Sequence, residues 1–294
     1  MSVTYDFRKI SPEDKKAMEE YRATLPPPEE FKPGETKMPV FPPVALPAGV
    51  FRESVTVNGV KAIHVFSRPE AKDSVIMYFH GGGYVWGTPE DGMAFLVEAK
   101  KRLNIDSYSV DYSLAPHKQF PVQLNECLAF YKGLLDLGYK KIALVGESAG
   151  GNMCLTLTLK LKDDKVPLPA VVVSISGLLD YTLSSDIELN DRFVEGMGFM
   201  ADQYAGKQDL TNPLISPAYG DYNGFPPLLL QAGTLESFST DAKYLAKKIE
   251  ATDCECVLCI WEEAGHVFSA GHEDTPVGRG GLAQALDFIK KYSI

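Results

Sequence analysis

Positive charge and cysteine are both scarce in this 294-residue sequence. Lysine and arginine number 29 against 39 aspartate and glutamate, which gives a formal net charge of −10. An acidic chain has little attraction for a phosphate backbone, so nucleic-acid binding is not expected. The five cysteines are too sparse, and odd in number, for a disulfide framework, which is typical of a cytoplasmic protein.

Long apolar runs are missing as well. No stretch approaches the roughly 20 residues that span a bilayer, and residues 1–14 lack the basic-then-apolar pattern of a signal peptide. We therefore expect a cytoplasmic protein without membrane insertion. With 45% hydrophobic and 23% charged residues, the composition is that of an ordinary globular protein.

Three of the cysteines follow a spacing that invites a metal interpretation. Cys254, Cys256 and Cys259 form C-x-C-x-x-C, but they lie in an apolar run that ends at Trp261 and is typical of a buried strand. Neighbours on a strand point to opposite faces, and a fourth ligand is missing. We expect buried thiols here and no metal.

The first 50 residues differ from the rest of the chain. A short helix is predicted over 13–22, and eight prolines then crowd 26–47. Proline fixes φ and removes a backbone donor, so this proline-rich stretch is predicted to be an extended strap and not a strand of a sheet. We expect residues 1–50 to form an arm that either lies on the surface or contributes to a cap over a substrate pocket.

From residue 51 onward strands alternate with helices, which indicates a mostly parallel sheet with helices on both faces. Asn58-Gly59 marks a tight hairpin between the first two strands. Strands are predicted at 54–57, 61–66, 75–79, 107–111, 142–145, 170–175, 227–232 and 255–261, and helices at 93–103, 122–137, 152–162, 240–251 and 281–291.

The alternation stops at about 180–217. This stretch is polar and loop-rich, and we interpret it as an insertion above the C-terminal edge of the sheet. Open α/β sheets bind their ligands at that edge. The predicted organisation is thus an arm over 1–50 followed by one α/β domain over 51–294 that carries a cap insertion.

A G-x-S-x-G segment at 146–150 follows a predicted strand and opens a predicted helix, as a nucleophile elbow does. The flanking glycines permit a cramped turn that projects Ser148 at the sheet edge. A serine hydroxyl is a weak nucleophile until a base takes its proton, so partners are required. The alternative is a plain glycine turn between strand and helix.

The segment His80-Gly81-Gly82-Gly83 favours the catalytic interpretation. Consecutive glycines let backbone N–H groups approach a ligand, and such donors can form an oxyanion hole. We predict that Gly82, Gly83 and Ala149 supply these donors. His80 is expected to hold the loop in place.

An acid and a histidine should follow the serine, in that order. Glu236 lies in the loop after the strand at 227–232, while the rival Asp241 suits the start of the next helix. His266 comes just after the final predicted strand, and His272 lies further from it. We predict a Ser148, Glu236, His266 triad in which the carboxylate orients the imidazole.

Over about residues 50–294 the sequence resembles the hormone-sensitive-lipase-like branch of the α/β-hydrolases. The resemblance is carried by the segments 80–83, 111–116 (Asp-Tyr-Ser-Leu-Ala-Pro), 120–121 (Phe-Pro), 146–152 (Gly-Glu-Ser-Ala-Gly-Gly-Asn) and 266–268 (His-Val-Phe). It implies an α/β-hydrolase fold with a small cap and a carboxylesterase for short acyl chains that uses no cofactor. The resemblance leaves open whether the protein forms a homodimer, since edge-strand dimers are common in that family.

The sequence departs from this family in its acid loop, which places Glu236 where an aspartate is common. Glutamate is one methylene longer, and the loop must compensate. Residues that could shape the substrate pocket, with core packing as the alternative, are Tyr84, Trp86, Phe193, Met197, Phe199 and Met200. An amidase, lactonase or acyltransferase with the same triad, and a silent binding protein of the same fold, are the rival functions.

Overall fold

The computed structural model describes residues 2–25, 43–68, 73–183, 191–271 and 273–293, with only the backbone described over 191–195. The strands in these residues are β1 (Val3–Arg8), β2 (Val50–Val57), β3 (Val60–Ser67), β4 (Ser74–Phe79), β5 (Asp106–Asp111), β6 (Lys141–Glu147), β7 (Val171–Ile175), β8 (Leu228–Gly233) and β9 (Cys256–Trp261). They form one sheet in the order β1-β9-β8-β7-β6-β4-β5-β3-β2.

Helices cover both faces of this sheet. They are α1 (Pro12–Thr24), α2 (Met93–Leu103), α3 (Val122–Asp136), α4 (Ala149–Asp163), α5 (Asp191–Tyr204), α6 (Phe238–Ile249) and α7 (Pro276–Ser293). The core on one face is built with α3, α4 and α6, and the core on the other face with α2 and α7. The predicted α/β architecture is confirmed.

The central strands are buried along almost their whole length because both of their faces are covered. In β4, β7 and β8 nearly every side chain is buried, as expected for parallel strands between two helical layers. The carboxyl ends of the parallel strands β4, β6, β7, β8 and β9 lie at the same edge of the sheet. The loops that follow these strands therefore meet there.

The predicted hairpin at Asn58-Gly59 is confirmed. The strands β2 and β3 are antiparallel, and both turn residues have positive φ values of 46° and 82°. The helix predicted at 13–22 is present as α1, where the Ser11 hydroxyl caps the first turn by accepting from the Asp14 N–H. The strands and helices predicted from residue 51 onward are also present, with ends that differ by a few residues.

The structure adds two elements that the sequence analysis misses. The first is β1, which pairs in parallel with β9 from Val3 opposite Cys256 to Arg8 opposite Trp261 and forms one edge of the sheet. The arm thus begins as a strand, whereas residues 26–42, which include most of its prolines, lie outside the described residues.

The second is α5, a 14-residue helix inside the stretch that the sequence analysis takes to be loop-rich. Met197, Ala201 and Tyr204 recur at helical spacing and are buried. Gly196 and Gly198 interrupt this pattern and are poor helix formers, so the sequence does not indicate a helix here.

The buried-strand prediction is confirmed for Cys256 and Cys259, which lie in β9, and Cys254 lies two residues before this strand. Cys254, Cys256 and Cys259 are buried, and burial raises the pKa of the Cys254 thiol to about 12. Among the residues described, no group of three or more histidine, cysteine or acidic side chains is placed to hold a metal ion. Nor does the described part of the chain contain a helix both long and apolar enough to cross a membrane.

Candidate active site

Ser148 occupies a sharp turn between β6 and α4. Its backbone lies at φ 52° and ψ −117°, a conformation that side-chain-bearing residues rarely adopt. A Cβ atom on Gly150 would collide with the carbonyl oxygen of Phe79, so only glycine lets the helix pass this close to β4. The turn leaves Ser148 half-buried at the carboxyl edge of the sheet.

The elbow is tied to the residues that follow β7. The Ser148 N–H donates to the Ile175 carbonyl at 2.9 Å, and the Leu178 N–H donates to the Ser148 carbonyl at 3.1 Å. These backbone hydrogen bonds fix the serine relative to the neighbouring strand end.

The glycine loop after β4 lies beside this turn. The Gly81 N–H donates to Glu147 Oε1 at 3.3 Å, whereas none of the hydrogen bonds in the described part of the chain uses the N–H groups of Gly82 or Gly83. Ala149 is the first residue of α4, where a helix leaves its N–H without an intrahelical partner. The three N–H groups assigned to an oxyanion hole are thus available to an incoming ligand.

His80 is buried beneath the glycine loop. Its ring stacks on Tyr112 with centroids 4.3 Å apart, and its Nδ1 lies 2.8 Å from the Gly81 carbonyl oxygen. The Tyr112 hydroxyl donates to the His80 carbonyl at 2.6 Å. Burial lowers the pKa of His80, so this imidazole is a neutral packing element that supports the loop.

Glu147, directly before the serine, is a buried carboxyl that the sequence analysis does not assign to the site. It accepts from the Tyr78 hydroxyl through Oε2 and from the Gly81 N–H through Oε1. Burial raises its pKa to about 7. This side chain connects the turn at Ser148 to the glycine loop.

Glu236 and His266 meet between the loops that follow β8 and β9. His266 Nδ1 lies 2.7 Å from Glu236 Oε2, and the glutamate side chain is only 3% exposed. Phe238 stacks on the imidazole with centroids 4.7 Å apart. A carboxylate at Nδ1 fixes the tautomer that leaves Nε2 free to accept a proton.

The second oxygen of Glu236 is also engaged. Oε1 accepts from the Gly233 N–H at 2.7 Å and from the Ser176 hydroxyl at 2.8 Å. The rival acid, Asp241, is buried in the first turn of α6. The rival base, His272, lies outside the described residues.

The pocket candidates fall into two groups. Tyr84 is buried, stacks on Tyr204 at 3.9 Å and donates its hydroxyl to Asn152 Oδ1 at 2.8 Å, so it belongs to the core. Met197 is buried as well. These two positions follow the core-packing alternative and do not line an open pocket.

The remaining candidates lie over the glycine loop. Trp86 and Phe199 stack with centroids 6.0 Å apart, and both are half-buried. A Cβ atom on Gly83 would collide with the Met200 side chain, so α5 packs directly against the glycine loop. The side chain of Phe193 lies outside the described residues.

Sequence reasoning also missed Ser176. It follows β7 directly, the same kind of position that identified Glu236 and His266, but it belongs to no motif. Only the structure reveals that its hydroxyl contacts Glu236.

Comparison with known proteins identifies the class. A sequence model described as the alpha/beta hydrolase fold matches residues 76–270, and the chain belongs to this family. An acetyl-hydrolase of Streptomyces hygroscopicus is 29% identical over 232 residues, which cover 76% of this chain and 78% of that protein. An esterase of Acinetobacter venetianus is 27% identical and covers 80% of each chain.

Solved structures narrow the class further. A hormone-sensitive lipase from a metagenome library has a TM-score of 0.77 and 30% identity, and covers 96% of this chain and 94% of its own. The esterase EstE5, in a crystal soaked with p-nitrophenyl butyrate, has a TM-score of 0.81 and 28% identity, and covers 96% and 99%. The protein is a hydrolase of the hormone-sensitive-lipase-like branch and an esterase of the carboxylesterase type.

Proposed function

We propose that this esterase hydrolyses carboxylic esters with short, acetyl-like acyl chains through a Ser148, His266, Glu236 triad. The observation that carries the proposal is the 2.7 Å contact between His266 Nδ1 and Glu236 Oε2, made by loops that follow adjacent strands. The strained turn at Ser148 follows β6, two strands beyond β8 along the same sheet edge, and supports the serine as nucleophile.

The reaction proceeds in two stages. His266 Nε2 takes the proton of Ser148 as Oγ attacks the ester carbonyl carbon, and the resulting imidazolium protonates the departing alcohol. Water deprotonated by His266 then attacks the acyl carbon. The bond between Ser148 Oγ and the acyl group breaks, the imidazolium returns its proton to Oγ, and the carboxylic acid is released. The Glu236 carboxylate holds the imidazole in place and stabilises its positive charge in both stages.

Negative charge develops on the carbonyl oxygen each time a tetrahedral intermediate forms. The N–H groups of Gly82, Gly83 and Ala149 are assigned to this oxygen, because rigid donors that are already oriented stabilise such charge without reorganisation. The hydrogen bonds of Glu147 and His80 to Gly81 support the assignment, since they hold the preceding residue of the loop.

The preference for short acyl chains is supported by the side chains around the glycine loop. Met200 lies against Gly83, and Trp86 packs on Phe199, so bulky groups of α5 and of the loop narrow the space beside the proposed oxyanion hole. The insertion over 180–217 is thus proposed as a cap, to which the proline-rich part of the arm over 1–50 contributes. No cofactor takes part in the proposed reaction.

Hydrolysis of p-nitrophenyl esters from acetate to laurate tests this function. We expect turnover that falls beyond medium chains and a kcat that Ser148→Ala lowers by about 10⁴-fold or more, because the triad acts as a unit. Turnover by Ser148→Ala close to the wild-type value would reject the nucleophile assignment.

The same ester assay, combined with fluorophosphonate labelling of Ser148, separates the rival functions. A folded protein that hydrolyses no ester, but whose Ser148 reacts with a fluorophosphonate, would favour an amidase, lactonase or acyltransferase. A protein that neither turns over esters nor reacts would favour a silent binding fold.

A further inference from the structure

Ser176 lies immediately after β7 in an unusual backbone conformation. Its φ is +49°, in the left-handed region that favours glycine, and the residue is fully buried. The Ser176 N–H donates to the Gln231 carbonyl of β8 at 2.7 Å. This conformation directs the side chain toward the loops that follow β8 and β9.

The Ser176 hydroxyl bridges those two loops. It accepts a hydrogen bond from the Val267 N–H at 3.0 Å and donates one to Glu236 Oε1 at 2.8 Å. The direction is fixed, since an amide N–H can only donate and the hydroxyl proton is then left for the carboxylate. One hydroxyl thus contacts both the proposed acid and the residue next to the proposed base.

The neighbouring residue, Ile175, accepts the Ser148 N–H. Two consecutive residues at the end of β7 therefore hold all three loops of the proposed triad. A glutamate has one more rotatable bond than an aspartate, and fixing it costs additional conformational entropy. With Gly233 and Ser176 both bonded to Oε1, the carboxylate is oriented so that Oε2 faces His266.

We propose that Ser176 is a positioning residue, whose hydroxyl fixes the Glu236 carboxylate in the orientation that ester hydrolysis needs. This inference rests on the proposed function. It predicts that removal of the hydroxyl impairs turnover through Glu236 and leaves substrate binding nearly unchanged.

Ser176→Ala is the direct test. We expect kcat on p-nitrophenyl acetate to fall about 10- to 100-fold, the usual effect of losing a hydrogen bond to a charged group, with KM changed less than about twofold. Ser174→Ala is the matched control, because the Ser174 hydroxyl, two positions earlier, has no hydrogen-bond partner among the residues described. A Ser176→Ala kcat equal to that of Ser174→Ala would overturn the proposal.

A double-mutant cycle separates positioning from a general structural role. If Ser176 acts through the acid, Ser176→Ala should change kcat less than about twofold once Glu236→Gln is present. A full multiplicative loss in the double variant would overturn the proposal.

Ser176→Gly guards against a folding defect in the alanine variant. It removes the same hydroxyl, while glycine relaxes the left-handed backbone. The proposal expects the same loss of kcat, and wild-type turnover would overturn it. If the wild type is active and the Ser176 variants are unaffected, this inference alone is rejected. If the wild type shows no turnover that depends on Ser148, both the proposed function and this inference are rejected.

Discussion

The Tyr78 hydroxyl donates a hydrogen bond to Glu147 Oε2 in the core, one residue before the proposed nucleophile. The other oxygen of this carboxyl accepts from the Gly81 N–H of the glycine loop. Glu147 is buried, and burial raises its pKa from 4.5 to about 7. The turn and the loop are thus joined by a group that changes charge near neutral pH.

This shift predicts a pH-dependent stability. The folded state keeps the Glu147 proton up to about pH 7, whereas the unfolded chain loses it near 4.5, so the folded state binds more protons between these values. The contribution of Glu147 to the free energy of unfolding therefore falls by about 3 kcal/mol as the pH rises through this window. In Glu147→Gln this fall should disappear.

Urea unfolding of both proteins between pH 4.5 and 8 measures the difference. The exposed Glu19 of α1 supplies the control, and Glu19→Gln should leave the pH dependence as in the wild type. Parallel stability curves for wild type and Glu147→Gln would contradict the prediction.

The assignment of Glu236, and not Asp241, as the acid predicts which of two variants loses more turnover. Glu236→Gln should lower kcat by about 10³- to 10⁴-fold, because an amide at this position stabilises neither the tautomer nor the charge of His266. Asp241→Asn should change kcat far less, since Asp241 lies in the first turn of α6. Steady-state kinetics on the acetate ester measure kcat for both variants, and circular dichroism verifies that they fold. The reverse ranking would identify Asp241 as the acid.

The position of Met200 predicts a limit on the length of the acyl chain that the enzyme accepts. Its side chain packs against Gly83, so Met200→Ala should open space beside the glycine loop. We expect the ratio of kcat/KM for the hexanoate ester to that for the acetate ester to rise at least about 10-fold, which is the lower end of the effect of one methylene in an apolar pocket. Met200→Leu, which conserves volume, should keep the wild-type ratio. An unchanged ratio in the alanine variant would remove Met200 from the pocket.

The proposed contribution of the arm to the cap has its own test. Phe31 and Phe41 are large apolar residues of the proline-rich stretch, and their joint replacement by alanine should shift the same ratio in the same direction. Leu25→Ala, at an exposed apolar position just after α1, is the control. If the double variant retains the wild-type acyl-chain profile, the arm is only a surface strap.

Apart from α5, the sequence alone determined the order of strands and helices after residue 50. Buried parallel strands are predicted by continuous apolar runs, such as 171–173 and 228–230, and turns by short local signals such as Asn58-Gly59. The proposed nucleophile, base and acid were found in the same way, because each follows a strand whose carboxyl end lies at one edge of the sheet.

Only the tertiary structure decided which groups meet. Val3–Arg8 becomes a strand because the edge of β9 is there to pair with it, and Tyr84 lies in the core because Tyr204 and Asn152 surround it. The contact of Ser176 with Glu236 spans 60 positions of the chain and has no motif. Such contacts form because the sheet brings together loops that are distant in the chain, so local sequence patterns do not predict them.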